Sequence, residues 1–200
     1  MALSAVVNEA ACMGCGLCSD LCPFNAIRME ARAPRISAEK CKSCGLCVSS
    51  CPRSAMDLSS CSRSTLAKAV WRASLSTRRP RCLVLACDYC GREEVAGEVK
   101  AAGLGNVRFT RVPCAARVDP AQVLEALFSG LDLVIVLMCE PGACAYEDAV
   151  LHADARLRLL ATCLGELGLG DRFHILRCNP RRAVEVARTV IELAGGPERH

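Results

Sequence analysis

The chain has few of the residues and segments that several common protein classes require. Aromatic residues make up only 4% of its 200 residues, with a single tryptophan, and there are three histidines. Its most apolar run, residues 131–139, is too short to cross a bilayer. The amino terminus carries no basic segment followed by an apolar one, so no secretory signal is predicted. We therefore expect a protein of the cytoplasm without a membrane span.

Cysteine, by contrast, is abundant, with 17 residues in the chain. Such a high cysteine content occurs either in secreted proteins that are cross-linked by disulfides or in proteins that bind metals. In a reducing cytoplasm, cysteines persist as thiols or as metal thiolates, and many free exposed thiols would oxidise readily. The cysteine content therefore predicts that many of these side chains bind metal.

An internal repeat occupies the first 58 residues. Four cysteines with the spacing C-x-x-C-x-x-C-x-x-x-C-P recur 29 residues later with the same spacing. The two runs consist of Cys12, Cys15, Cys18 and Cys22, and of Cys41, Cys44, Cys47 and Cys51. Each run is the bacterial ferredoxin motif for [4Fe-4S] clusters, in which the fourth cysteine ligates the other cluster. The repeat therefore predicts two such clusters.

The motif also predicts which thiolates share a cluster. One set is Cys12, Cys15, Cys18 and Cys51, and the second is Cys41, Cys44, Cys47 and Cys22. Zinc, the alternative metal, prefers four ligands arranged as two separated pairs, which these triplets do not provide. Residues 5–58 resemble a bacterial two-cluster ferredoxin, and that resemblance implies single-electron transfer.

Bound clusters change the meaning of the formal charge of +4, which counts every cysteine as neutral. A cluster held by four thiolates carries a net charge of about −2, so three clusters would bring the chain to about −2. The sequence also lacks an interleaved pattern of basic and aromatic residues. No nucleic-acid partner is therefore expected.

After the repeat, a stretch rich in serine and arginine (residues 59–80) is interpreted as a linker with a possible short helix around Leu66 and Ala73. The remaining residues, 81–200, alternate between strand and helix patterns. Strands are predicted at 82–86, 107–112, 131–138 and 173–177, and helices at 120–128, 149–167 and 180–193, with another ending at Lys100. We predict an α+β ferredoxin-like domain (1–58), followed by an α/β domain with a parallel sheet.

Five cysteines follow the predicted strands of this second domain: Cys87, Cys90, Cys114, Cys139 and Cys144. The carboxyl ends of parallel strands share one edge of a sheet, so these thiols are expected to lie together. A [2Fe-2S] cluster needs four thiolates. A zinc site or a redox pair could use the Cys87-x-x-Cys90 motif, and isolated buried cysteines are the simplest alternative. Cys178 also follows a predicted strand, and it is interpreted as a structural cysteine or as a residue that contacts the ligands.

Residues 82–193 resemble the delta subunit family of methyl-viologen-reducing hydrogenase. The resemblance lies in the segments ACDYCG (86–91), PCAARVDPAQVLEAL (113–127) and MCEPGACAYED (138–148). It implies one [2Fe-2S] cluster on four of the five cysteines and electron transfer to the A-type subunit of heterodisulfide reductase, a flavoprotein. The chain departs from the family where Ala86 replaces a frequent cysteine, and where Ala145 and Tyr146 follow Cys144 without the frequent histidine.

Together these features predict an iron–sulfur electron-transfer subunit of a larger oxidoreductase, without substrate chemistry of its own. By resemblance, the other electron-carrying module would be a hydrogenase, a formate dehydrogenase or a similar protein. Two alternatives remain open at this point. One is a thiol-disulfide reductase that uses Cys87 and Cys90, and the other is a zinc-stabilised module that docks a ferredoxin.

Overall fold

The computed structural model describes residues 4–195, so the first three and last five residues of the predicted domains lie outside the described part. The amino-terminal domain contains six short elements. They are β1 (Ala5–Val7), α1 (Leu17–Asp20), β2 (Ile27–Glu30), β3 (Ala33–Ile36), α2 (Leu46–Ser49) and β4 (Met56–Leu58). Strand β1 pairs antiparallel with β4, and β2 pairs antiparallel with β3. Two small sheets and two single-turn helices thus support the cysteine loops.

The second domain alternates strands and helices. Its strands are β5 (Cys82–Cys87), β6 (Val107–Val112), β7 (Leu133–Cys139) and β8 (Phe173–Cys178). A helix that precedes the sheet is α3 (Arg63–Ser74), and those that follow its strands are α4 (Arg92–Ala101), α5 (Pro120–Phe128), α6 (Glu147–Glu166) and α7 (Ala183–Gly195). All four strands are parallel, in the order β6-β5-β7-β8. The predicted fold class is confirmed for both domains.

Strands β5 and β7 form the centre of this sheet and are buried along their whole length. Their side chains alternate between two cores, because successive residues of a strand point to opposite faces. Leu83 and Val136 pack with α5 and α6, whereas Val84 and Ile135 pack with α4 and α7. Burying one such side chain fully contributes about 1.5–3 kcal/mol. The continuous apolar runs are therefore explained by a sheet covered on both faces.

The segment predicted as a linker contains the packed helix α3. Ser62 caps it, since the Ser62 side chain accepts a hydrogen bond from the Thr65 backbone N–H. Leu66 and Ala73 are buried, as their position on one helix face predicts, and the helix contacts β5 and β6. Trp71, in the same helix, is 61% exposed. This segment therefore adds a helix to the second domain's sheet.

The two domains share one hydrophobic core and a polar seam. The seam lies between α2 and a 3₁₀ turn, Ala115–Arg117, which follows β6. The Ser49 hydroxyl donates to the Ala116 carbonyl at 2.6 Å, and the Arg156 guanidinium donates to the hydroxyls of Ser49 and Ser50 at 2.8 Å. These contacts fix the ferredoxin domain against the carboxyl edge of the parallel sheet.

Arg117 lies inside this seam with no exposed side-chain surface. Its Nε donates to the Cys61 carbonyl at 2.9 Å, and its Nη1 donates to Gln122 Oε1 at 2.9 Å. Asp57 is the nearby carboxylate, 3.8 Å from Nη2. Asp119, which could have paired with Arg117, instead pairs with Arg63 at 3.1 Å. The buried guanidinium therefore connects β4, the start of α3 and the start of α5.

Among residues 4–195, the structure contains no helix with the length and apolar character needed to span a membrane.

Candidate metal centres

The first candidate centre is a small cavity in the ferredoxin domain. Four cysteines line it: Cys12, Cys15, Cys18 and Cys51. The first two come from the loop that leads into α1, the third lies in α1, and the fourth follows α2 in the other repeat. Gly16 precedes α1 with φ +80, a conformation that glycine adopts without steric cost. The structure thus brings together the four cysteines that the motif assigns to one cluster.

The second candidate centre is another small cavity in the same domain. It is lined by Cys22, Cys41, Cys44 and Cys47. Burial raises the pKa of Cys44 to about 11, with negative charge on Cys22 and Cys41 acting in the same direction. Thiols that affect one another in this way are close neighbours, so a shared positive group is needed to keep them all ionised.

Backbone N–H groups point at the sulfurs of both sites. The Ala26 N–H donates to Cys22 Sγ at 3.4 Å, and the Ala55 N–H donates to Cys51 Sγ at 3.3 Å. These two hydrogen bonds occupy equivalent positions in the repeat, because Cys51 and Ala55 lie 29 residues after Cys22 and Ala26. At the second site, the Ala5 N–H also donates to Cys41 Sγ at 3.5 Å. Such donors stabilise negative charge on cluster ligands and tune the cluster potential. Four thiols around a cavity with N–H donors fit a [4Fe-4S] cluster at each site.

The two sites differ in their access to solvent. At the first site Cys15 is exposed, and the adjacent Met13 is 63% exposed. At the second site Cys44 is only 8% exposed, because α2 packs against the second domain. The first site therefore faces outward and the second faces the interior of the molecule.

The third candidate centre lies at the carboxyl edge of the parallel sheet. After β5 the chain forms β6 on one side of β5, and it then forms β7 on the opposite side of β5. The strand order therefore reverses between β5 and β7, and such a switch point is where α/β proteins bind ligands. Cys87 ends β5 and Cys139 ends β7, and their Sγ atoms are 3.7 Å apart. Hydrogen bonds from the Cys114 and Cys139 thiols lower the pKa of Cys87 and raise the pKa values of the two donors.

The other cysteines near this edge take different positions. The Cys90 thiol donates to the Cys87 carbonyl at 3.1 Å, and burial raises the Cys90 pKa to about 12. Cys144 is half-buried and close to Cys139, and its Sγ accepts the Tyr146 N–H at 3.3 Å. Cys178, interpreted as structural or as a residue that contacts the ligands, lies beside Cys90. Its place at a strand end was the only sequence signal of that proximity.

All five predicted cysteines therefore converge on one edge, with Cys87, Cys114 and Cys139 in direct contact. Thiolates are the ligands that iron–sulfur clusters use, so this donor set fits one. Within the described part of the chain, no three His, Cys, Asp or Glu side chains are grouped as ligands of a single metal ion. The thiols of the first two sites instead surround cavities.

Comparison with known proteins agrees with this division of the chain. Residues 5–58 match the model of the 4Fe-4S dicluster domain. Residues 82–196 match the model of the methyl-viologen-reducing hydrogenase delta subunit. The second match covers more than half of the chain and includes all five cysteines at the sheet edge.

Individual relatives match different portions of the chain. The chain is 37% identical to the D-type iron–sulfur subunit of the F420-non-reducing hydrogenase of Archaeoglobus profundus, over 45% of this chain and 67% of that protein. It is 32% identical to the corresponding vhu iron–sulfur subunit of Methanocaldococcus jannaschii, over 54% of this chain and 82% of that protein.

A longer match, also at 32% identity, is to the A-type subunit of the ferredoxin/F420H2-dependent CoB-CoM heterodisulfide reductase of Methanosarcina acetivorans. It covers 85% of this chain but only 22% of that protein. The chain belongs to the methyl-viologen-reducing hydrogenase delta subunit family.

Proposed function

We propose that this chain is an iron–sulfur electron-transfer subunit of a multi-subunit oxidoreductase. It relays single electrons between a hydrogenase- or formate dehydrogenase-type module and a flavoprotein similar to the A-type subunit of heterodisulfide reductase. One observation carries the proposal. Thirteen cysteines are gathered at three places in the molecule, and two of these places are neighbours at the contact between the domains.

The proposed cofactors are two [4Fe-4S] clusters and one [2Fe-2S] cluster. The first cluster uses Cys12, Cys15, Cys18 and Cys51, and the second uses Cys41, Cys44, Cys47 and Cys22. The third uses four of Cys87, Cys90, Cys114, Cys139 and Cys144. When bound, each cluster supplies a one-electron change in iron valence. The chain itself supplies thiolates, directs N–H groups at the sulfurs and excludes water from the inner two sites.

Differences in solvent exposure among the sites predict where a redox partner exchanges electrons with the molecule. The first site reaches the surface at Cys15, whereas the second is buried against the sheet domain. An outside redox partner therefore gains closest access at the first site. The inner two sites lie near each other, since negative charge on Cys44 contributes to raising the pKa of Cys114. Electrons are thus expected to cross the domain seam between the second and third sites.

The proposed flavoprotein partner is supported by the organisation of a relative. In the Methanosarcina acetivorans heterodisulfide reductase protein, the segment similar to this chain is part of one longer polypeptide. Segments that are joined in one protein and separate in another are expected to associate when they are separate. The hydrogenase-type partner is supported by the names of the shorter relatives. A complex of these proteins in the cytoplasm is the proposed setting.

Anaerobic purification followed by metal analysis and electron paramagnetic resonance tests the proposal. We expect about ten irons per chain and, after dithionite reduction, signals from both cluster types. About eight irons with one zinc would instead favour the docking module. Reduction of a disulfide by the isolated chain, abolished in Cys87→Ser, would favour the thiol-disulfide reductase. A colourless protein without a paramagnetic signal would overturn the electron-transfer function altogether.

A further inference from the structure

Three aromatic rings lie in series between the second and third sites. The Phe24 and Tyr146 rings are 5.4 Å apart with planes at 80°, and the Tyr146 and Tyr89 rings are 5.8 Å apart with planes at 87°. Both tyrosines of a chain that has very few aromatic residues meet here. Such edge-to-face pairs hold rings in a defined geometry.

Each ring belongs to a loop that carries predicted cluster ligands. Phe24 lies two residues after Cys22 and lines the second cavity. Tyr89 lies between Cys87 and Cys90. Tyr146 lies just before α6, and its backbone N–H donates to Cys144 Sγ at 3.3 Å. The series therefore connects a loop of the ferredoxin domain with two loops of the sheet domain.

Tyr146 occupies the central position in this series. Phe24, Tyr146 and Cys144 pack against the hydrophobic cluster that contains the buried side chains of Cys44 and Cys114. Its ring contacts Phe24, which lines the second cavity together with Cys44, and its backbone N–H contacts Cys144 Sγ. Tyr146 therefore adjoins one loop from each of the two sites.

Resting on the function proposed above, we propose that Tyr146 is a positioning residue for electron transfer between the second and third sites. Its ring holds the Cys44 loop at a fixed spacing from the Cys114 and Cys144 loops. Its edge-to-face contact with the Tyr89 ring orients the Cys87–Cys90 loop. Electron transfer through protein slows steeply with distance, and a dry, closely packed gap needs little rearrangement when charge moves across it.

Ring packing for stability alone is the simpler alternative, and two substitutions separate it from the proposal. Tyr146→Leu removes the ring, whereas Tyr146→Phe keeps the ring and removes only the hydroxyl. Phe128→Ala is the matched control, because Phe128 is an aromatic residue that is 87% exposed and lies at the end of α5. Iron content and the spectrum of each cluster are measured first, in all variants.

The deciding measurements are the rate of internal electron transfer, followed by rapid freeze-quench, and the magnetic interaction between the reduced second and third centres. In Tyr146→Leu we expect full iron, a weaker interaction and a rate lower by about tenfold, because misplacement on the order of 1 Å has large kinetic effects. Tyr146→Phe should match the unchanged Phe128→Ala, because it keeps the ring and its contacts with Phe24 and Tyr89.

An unchanged rate in an iron-replete Tyr146→Leu protein would overturn the proposal. Loss of iron from the third site in that variant would also overturn it, because Tyr146 would then support only that site's assembly. Failure of the proposed function has a different signature. The unmodified protein would then lack the signal of the third centre before any substitution is made.

Discussion

Gly45 lies directly against Arg117, and a Cβ atom built on Gly45 would be 2.7 Å from both Cβ and Cδ of Arg117. Gly45 follows Cys44, a proposed ligand of the second site, and Arg117 comes from the turn after β6. The ferredoxin loop and the sheet domain therefore touch at a point where no side chain fits. This close approach explains how α2 can pack directly against the 3₁₀ turn of the sheet domain.

The repeat offers a matched test of this contact. Gly16 is the equivalent of Gly45, with φ +80 against +82, but its built Cβ meets only a side-chain atom of Asp20, at 3.9 Å. Each Gly→Ala change should cost about 1 kcal/mol for the left-handed backbone. Gly45→Ala should lose about 1–3 kcal/mol more, because the buried arginine must move. Denaturant unfolding under anaerobic conditions measures both, and equal losses would contradict the contact.

Replacement of the buried arginine should loosen the seam. Arg117→Met removes the donors to Cys61 and Gln122, so we expect a loss of stability of about 1–3 kcal/mol. Limited proteolysis within residues 59–80 should also become faster. The control is Arg111→Met, because Arg111 is exposed and its pair with Asp88 should contribute no more than about 1 kcal/mol. Similar stability and cleavage rates in both variants would argue against a seam held by Arg117.

The exchange of fourth ligands between the two repeats can be tested by single serine substitutions. Cys51→Ser should alter the signal of the exposed first cluster, while Cys22→Ser should alter that of the buried second cluster. Redox titration followed by electron paramagnetic resonance resolves the two. The opposite result, in which Cys51→Ser perturbs the second cluster and Cys22→Ser the first, would show that the cysteines lining each cavity are not the ligands of one cluster.

At the third centre we expect three residues to be indispensable. Serine substitution of Cys87, Cys114 or Cys139 should lower the iron content by about two per chain and remove the [2Fe-2S] signal. Cys82→Ala is the control, because Cys82 is equally buried but begins β5, at the opposite edge of the sheet from this site. We expect the fourth ligand to be Cys90 or Cys144, and the serine variant that keeps its iron would identify the spare thiol. Full iron in Cys87→Ser would refute the site.

Much of the fold follows from local patterns in the sequence. The strand at 107–112 and the helix at 120–128 have the predicted bounds, since the strand is a run of β-branched and aromatic residues and Asp119 caps the helix. The two ferredoxin cavities contain the predicted cysteines because cluster ligation by this motif constrains the loop spacing closely.

The arrangement across the domain seam could not be predicted in the same way. The contact of Gly45 with Arg117, and that of Phe24 with Tyr146, joins residues far apart in the chain. Such contacts depend on how two folded domains pack against each other, and no periodic pattern in the sequence predicts that packing. Composition is also misleading here, because arginine is almost never fully buried while tryptophan is usually well covered, and Arg117 and Trp71 do the opposite.

The difference in exposure between Cys15 and Cys114 has a consequence for handling the protein in air. Oxygen and peroxide reach a surface thiolate sooner than one with no accessible surface, so inactivation should begin at the amino-terminal centre and advance inward. A partly oxidised preparation would then keep its innermost iron while it can no longer exchange electrons with the outside. Spectral intensity alone would overstate how much of such a sample is functional.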